Sequence, residues 1–152
     1  MIIRLVDVDE SNWLDVRGLS VGSGQEGFLD SALGILARGY VYRSCRARVV
    51  GIAADDTIVG VALVRDLDEE PACYDLQQFM IDAHYQGRGI GIQALRLIVD
   101  ELAAERRYDH VEVCVKRDDA AALHVYEKAG FVDTGYVDDD APDCLNLALA
   151  FV

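Results

Sequence analysis

The sequence lacks the long hydrophobic segments that mark membrane and secreted proteins. No apolar run comes near the ~20 residues that a membrane helix needs. The N-terminal segment has no extended apolar core of the kind found in signal peptides. Hydrophobic residues nevertheless make up 52% of the 152 residues, which argues against disorder. We therefore expect a single domain, residues 1–152, located in the cytoplasm.

Basic residues are also scarce. Lys and Arg number 14 against 27 Asp and Glu, which gives a formal net charge of −13. This balance argues against nucleic acid or an anionic membrane surface as a partner. It is compatible with a cationic substrate, although acidic charge also simply keeps proteins in solution.

The four cysteines form no recognisable metal or redox motif. They are widely spaced, with no CxxC pair and no histidine nearby in the sequence: Cys45, Cys73, Cys114 and Cys144. We therefore expect neither a zinc site nor a redox pair, and interpret the cysteines as reduced, mostly buried thiols.

What the sequence does contain is a series of strand and helix patterns in the order β-α-α-β-β-β-α-β-α-β-β. The second helix is predicted over residues 25–38, and one of the last two strands over residues 131–137. Acidic loops are expected at residues 66–71 and 138–143, where they could guide a polycation or be ordinary solvated charge. The order predicts an α/β fold, a mixed sheet with helices on its faces.

A glycine-rich loop is the most informative local feature. It lies between an apolar strand and a periodic apolar helix and consists of Gln86, Gly87, Arg88, Gly89, Ile90 and Gly91. Glycines let the backbone approach a ligand closely, and the start of the helix presents free N–H groups, so the loop suits a phosphate. It fits neither a Rossmann fingerprint, since the βαβ surroundings are missing, nor a Walker loop, since no Gly-Lys-Ser/Thr ends it.

The loop and its context resemble the GCN5-related N-acetyltransferase family, whose signature is Arg/Gln-x-x-Gly-x-Gly/Ala. A second stretch, residues 119–131 (DAAALHVYEKAGF), is similar to the family's N-x-x-A-x-x-L-Y-E-K-x-G-F helix. The resemblance implies a mostly antiparallel central sheet of about seven strands flanked by helices. It also implies acetyl-coenzyme A as the donor, with no metal.

The same resemblance implies which residues contact the coenzyme. The amides from Gly87 to Ile92 would hold the pyrophosphate, and the backbone of Phe79, Met80 and Ile81 would pair with the pantetheine arm. Arg88 and Lys128 are phosphate partners by charge, or else solvated surface residues. Asp119 stands where the family commonly has Asn; an ionised Asp cannot donate a hydrogen bond, and a role as helix cap is the alternative.

For catalysis, the resemblance identifies Tyr126 as the acid that protonates the departing thiolate; a packing role is the alternative. The stretches 23–29 and 74–87 look like the polyamine acetyltransferases, several of which place a carboxylate where Gln77 stands here. Since Gln77 cannot be a base, we consider Asp75 and Glu26 instead.

The acceptor implied by this second similarity is a small cationic amine such as spermidine, spermine or a diamine. Alternatives are an aminoglycoside, an amino acid, and a protein N-terminus or lysine, or a module that binds acyl-coenzyme A without catalysis. A homodimer is also expected from the family, with the apolar strand at residues 144–151 either at the interface or buried.

Overall fold

Seven strands form one sheet in the computed structural model, which describes residues 1–152. The strands are β1 (Ile3–Asp7), β2 (Arg48–Ala54), β3 (Thr57–Leu67), β4 (Cys73–Ile81), β5 (His110–Lys116), β6 (Val132–Asp133) and β7 (Cys144–Ala150). Their order across the sheet is β1-β2-β3-β4-β5-β7-β6, and every pair is antiparallel except β4–β5. The predicted fold class and the predicted order of elements are both confirmed.

Four helices cover the two faces of the sheet. They are α1 (Trp13–Arg17), α2 (Ala32–Val41), α3 (Ile90–Glu105) and α4 (Ala120–Lys128). One face buries Leu95, Ile98 and Leu102 of α3 against the sheet, and the other buries Val16 of α1 and Ile35 of α2. None of these helices combines the length and the apolar character that crossing a membrane requires.

Two predicted elements are shorter than expected. The second helix begins at Ala32, not at residue 25, because the Ser31 side chain accepts a hydrogen bond from the Gly34 N–H and caps it there. The strand predicted over residues 131–137 is only β6, because the chain turns at Gly135, whose φ is +78°.

The first acidic loop was partly mispredicted. Asp66 belongs to β3 and is buried, and Arg107 donates two hydrogen bonds to its carboxylate, at 2.8 and 3.0 Å. Arg46 adds a third contact at 3.3 Å. The charge of Asp66 is therefore balanced by arginines within the fold, and this carboxylate is not available to a polycation.

Strand β7 lies inside the sheet, between β5 and β6. It pairs with β5 along its whole length, and Leu147 and Ala148 also pair with β6. β7 is therefore an interior strand of the sheet, although only Cys144 and Leu147 of it are buried, and the homodimer stays a prediction.

Candidate active site

Strands β4 and β5 separate after a short parallel contact. They pair only at Tyr74 with Val111 and at Asp75 with Glu112. On the other side of β4, Leu76 lies opposite Val64 and Gln78 opposite Leu63, so Gln77 is an extra residue, a β-bulge. Beyond the bulge β4 stays paired with β3 as far as Ile81, while its other edge has no partner and borders a gap in the sheet.

A cleft of about 440 Å³ lies beside this gap. It brings together most of the residues predicted to contact the coenzyme, from three separate parts of the chain. They are Phe79, Met80, Ile81, Gln86, Gly87, Gly89, Gly91, Ile92, Asp119, Tyr126 and Lys128. Four predicted site residues do not line it: Glu26, Asp75, Arg88 and Ile90.

The glycine loop has the conformation that a phosphate site needs. Gly87 and Gly89 have φ angles of +77° and +78°, which side chains other than glycine rarely adopt. Gly89 is the N-cap of α3 and offers no side chain to the first turn, so the N–H groups that open this sixteen-residue helix remain free. The positive end of the helix dipole lies at the same place.

The two loop residues outside the cleft have other roles. Arg88 is exposed, and its guanidinium lies 5.3 Å from the centre of the Tyr85 ring. Ile90 is buried in a small core cluster that includes Ile52 and Val59, so only its backbone can serve a ligand.

Tyr126 lies on α4 between two aromatic rings. Its ring centre is 6.4 Å from that of Phe79 and 5.4 Å from that of Phe131. The hydroxyl makes no hydrogen bond to the protein. No fully buried polar side-chain atom of the protein lacks a partner, so this hydroxyl must be accessible, and it opens into the cleft that Tyr126 lines. Burial, with the charges of Asp119 and Asp75, raises the pKa of Tyr126 above its ordinary value.

Asp119 is the N-cap of α4. Its Oδ1 accepts a hydrogen bond from the Ala122 N–H at 3.2 Å, as the capping interpretation predicts. Burial is the main reason that its pKa is raised; the Ala122 N–H opposes this shift and the charge of Asp118 adds to it.

The two candidate bases lie away from the cleft. The side chain of Asp75 points to one face of β4, and those of Tyr74 and Leu76 point to the other. Asp75 Oδ2 accepts a hydrogen bond from Arg65 Nε at 2.9 Å. Burial raises the pKa of Asp75 although Arg65 lowers it. Glu26 is exposed and accepts a hydrogen bond from the Gly24 N–H at 2.9 Å.

Gln77 is held by α2. Its Oε1 accepts a hydrogen bond from Arg38 Nη1 at 3.1 Å, while Arg38 Nε donates to Asp30 at 2.8 Å. The next residue, Gln78, accepts from the Asp30 N–H at 2.9 Å. Because of the bulge, both glutamines face the α1–α2 side of the sheet.

Sequence reasoning missed the part that Gln25 plays. The amide side chains of Gln25 and Gln86 exchange hydrogen bonds of 3.0 and 3.2 Å, and Gln86 also donates to the Ile81 carbonyl at 2.9 Å. The segment before α2 is thereby tied to the glycine loop and to the end of β4. Only the tertiary fold reveals this contact, because 61 residues separate the two glutamines.

Comparison with known proteins agrees with this geometry. The model of the acetyltransferase (GNAT) family matches residues 13–131. The spermine/spermidine N(1)-acetyltransferase of Bacillus subtilis is 24% identical over 144 residues, covering 91% of this chain and 93% of that protein. The N-alpha-acetyltransferase RimI of Mycobacterium tuberculosis is 36% identical over 87 residues, which cover 57% of this chain and 52% of that protein.

The fold has close counterparts among solved structures. The spermidine N-acetyltransferase from Vibrio cholerae, solved in complex with CoA and spermine, superposes with a TM-score of 0.74 at 15% identity. The match covers 97% of this chain and 95% of that one. With the family model spanning most of the sequence, the fold and the motifs lead to one assignment: this chain belongs to the GNAT family of acetyltransferases.

Proposed function

We propose that the protein transfers the acetyl group of acetyl-coenzyme A to the amine of a small cationic substrate, a polyamine being the best candidate. One observation carries the donor half of this proposal. The free N–H groups of α3, the separated stretch of β4 and the Tyr126 hydroxyl all open into the same cleft.

In this proposal the pyrophosphate binds at the start of α3. The amides from Gly87 to Ile92 hold it, as helix N-termini hold anions. The pantetheine arm runs along Phe79, Met80 and Ile81 as an additional strand. The Asp82 N–H bonds to Val59 on β3, so by alternation the Met80 backbone also faces β3 and those of Phe79 and Ile81 face the gap. Gln86 uses the Ile81 carbonyl, so the arm's hydrogen bonds come from Phe79 and from the Ile81 N–H.

The charged candidates differ in their support. Lys128 lines the cleft, which supports its role as a phosphate partner. Arg88 lies outside the cleft beside Tyr85, so it meets the coenzyme only by swinging over the loop.

The reaction is a direct attack of the neutral amine on the thioester carbonyl. The new C–N bond forms a tetrahedral intermediate, which collapses as the C–S bond breaks and the thiolate departs. Tyr126 then donates its proton to sulfur, and the proton that the attacking nitrogen loses on forming the amide returns through water to the tyrosinate. A raised phenol pKa opposes this step, and burial in the same cleft, which also raises the pKa of the departing thiol, offsets part of that cost.

The amine must lose a proton before it attacks, since an alkylammonium has a pKa of about 10.4. Neither Asp75 nor Glu26 lines the cleft, so the proton leaves through water to one of them. We favour Asp75 of the two because it lies close enough to Tyr126 for its charge to raise the pKa of that residue, whereas Glu26 has no such effect.

Two observations favour a polyamine. The Bacillus subtilis relative, named for spermine and spermidine, aligns along nearly the whole of both chains. The chain is also strongly acidic, with a net charge of −13, which attracts a polycation.

A protein N-terminus is the second candidate. It is favoured by the higher identity, 36%, to an N-alpha-acetyltransferase, although over only 87 residues. Such an acceptor carries one amine at the end of a peptide, and it would extend out of the cleft.

The experiment that separates these possibilities is the release of free thiol from acetyl-coenzyme A across a panel of amines. The panel contains spermidine, spermine, a diamine, an aminoglycoside and a short peptide with a free N-terminus. We expect turnover with spermidine or spermine to exceed that with the other amines. Turnover only with the peptide would replace the polyamine by a protein acceptor. Binding of acetyl-coenzyme A without turnover of any amine would indicate a binding module.

A further inference from the structure

Three metal-binding side chains of different chemistry meet on β4 and β5, outside the cleft. They are Cys73, His110 and Glu112, and their donor atoms all lie within 4.8 Å of one another. The Cys73 thiol donates to Glu112 Oε2 at 3.1 Å. Cys73 is buried, and the other two are half-buried, so the cluster is sheltered but can be reached from solvent.

The parallel pairing of the two strands explains this meeting. Asp75 lies opposite Glu112, and Cys73 and His110 each come two residues earlier on their strands. Side chains two residues apart point to the same face, so the three donors share one face of the sheet. Strand β7 places only Ala148 and Ala150 opposite Glu112 and His110, which leaves the donors uncovered on that side.

His110 has a carboxylate partner of the kind that orients metal-binding histidines. Its Nδ1 lies 2.7 Å from Asp109 Oδ1. With the carboxylate as acceptor, Nδ1 carries the proton and Nε2 presents its lone pair. A histidine held in this way by a carboxylate is the usual arrangement around a bound zinc ion.

We propose that Cys73, His110 and Glu112 bind one zinc ion, with the fourth position of a tetrahedron open to water. A thiolate, an imidazole and a carboxylate are the ligands that zinc takes in proteins, whereas magnesium and calcium prefer oxygen alone. Binding releases the thiol proton, because the thiolate is the ligand. The zinc is not a cofactor of acetyl transfer, and no step of that reaction passes through it.

The proposed site departs from the expectation, drawn from the sequence, that the cysteines belong to no metal site. No histidine lies near Cys73 along the chain, and the pairing of β4 with β5 supplies the missing partner. A motif of closely spaced metal ligands in the sequence reveals only a site whose ligands come from one segment of the chain.

Cobalt(II) is a suitable probe, since it takes the place of zinc and reports thiolate ligation by a charge-transfer band in the near ultraviolet. Metal-free protein is titrated with cobalt, then with zinc in competition. We expect one ion per chain, a thiolate band, and loss of the band when zinc is added. Excess magnesium should leave the band unchanged. Absence of the band, or its loss to magnesium, overturns the proposal.

Variants assign the ligands. Cys73→Ser should abolish the thiolate band, and His110→Gln should weaken cobalt binding at least about tenfold, as should Asp109→Asn through the histidine. Cys114→Ser is the matched control, an exposed cysteine on the same strand as the two β5 ligands, and should bind as the unaltered protein does. Circular dichroism checks that each variant is folded. A band that persists in Cys73→Ser, or disappears in Cys114→Ser, contradicts the assignment.

Discussion

Asp119 Oδ1 accepts a hydrogen bond from the Ala122 N–H at 3.2 Å, and this contact fixes the start of the helix that carries Tyr126. The same carboxylate lines the cleft proposed for the coenzyme. One side chain therefore both caps α4 and borders the cleft proposed for the donor, and substitutions can separate the two roles.

Asp119→Asn keeps a good cap and removes a charge, whereas Asp119→Ala removes the cap. We expect Asp119→Ala to lower the free energy of unfolding by about 1 kcal/mol. Asn also regains the ability to donate a hydrogen bond, so Asp119→Asn should bind acetyl-coenzyme A at least as tightly as the unaltered protein. Weaker binding by the Asn variant would show that the coenzyme uses the carboxylate itself.

The raised pKa of Asp119 gives these variants a pH dependence. The folded protein holds this proton more tightly than the unfolded chain does, so the group contributes stability below its unfolded pKa of about 4 and loses it as the pH rises through the folded pKa. The free energy of unfolding of Asp119→Asn, relative to that of the unaltered protein, should therefore be higher at pH 7 than at pH 4. Urea unfolding at both pH values measures this, and a reversed order would contradict the direction of the shift.

Tyr126→Phe removes only the hydroxyl, and the ring can still pack against Phe79 and Phe131. If Tyr126 is the acid, kcat should fall by about 10² or more while the affinity for acetyl-coenzyme A is unchanged. Because burial raises the pKa of Tyr126, the phenol stays protonated, and the unaltered enzyme should show no loss of kcat from this group up to about pH 10. Unchanged kcat in the variant would remove Tyr126 from the acid role.

Gly89 and Gly91 should respond in opposite directions to alanine. Gly89 has a φ of +78°, so Gly89→Ala should cost about 1–2 kcal/mol of stability. Gly91 lies inside α3, where an added Cβ meets Ile81 Cγ1 at an ordinary 3.8 Å, so Gly91→Ala should stabilise the fold by about 0.5–1 kcal/mol.

The affinity for acetyl-coenzyme A should not follow the stability of the Gly89→Ala and Gly91→Ala variants. Gly91 lines the cleft at the proposed pyrophosphate site, and a methyl group there should weaken acetyl-coenzyme A binding even though the fold gains stability. Calorimetry with the coenzyme, beside thermal unfolding of both variants, makes the comparison. A Gly91→Ala variant with unaltered affinity would place the pyrophosphate elsewhere.

Arg107 neutralises the buried carboxylate of Asp66. Arg107→Ala leaves that charge without its two hydrogen bonds and should cost about 3–5 kcal/mol. Arg46→Ala is the control, because Arg46 reaches the same carboxylate from a largely exposed position and should cost no more than about 1 kcal/mol. Denaturant unfolding compares the two, and equal losses would mean that Arg107 is not the main partner.

Local patterns predicted the order of the elements, the glycine loop and the Asp119 cap, because each depends on residues close together in the chain. Pairings between distant segments were not predictable in this way. The burial of Asp66 depends on Arg107, and the contact between Gln25 and Gln86 joins two loops. The shortened start of α2 shows the same limit, since hydrophobic periodicity over residues 25–31 also fits a loop that lines a cleft.

The extra residue at Gln77 shifts the alternation of β4 by one position. Phe79 consequently packs beside Tyr126 on the coenzyme side, while Gln77 and Gln78 face α2. Deleting Gln77 would restore an unbroken hydrogen-bond ladder with β3. Every β4 side chain on one side of the deletion would then point to the other face of the sheet. The donor in the proposed reaction is bound mainly by backbone, which any sequence supplies, and the α2-facing glutamines lie on the opposite side of the strand. Substitutions on that α2-facing side of β4 can therefore change its contacts with α2 without altering the backbone groups that hold the donor in the proposed reaction.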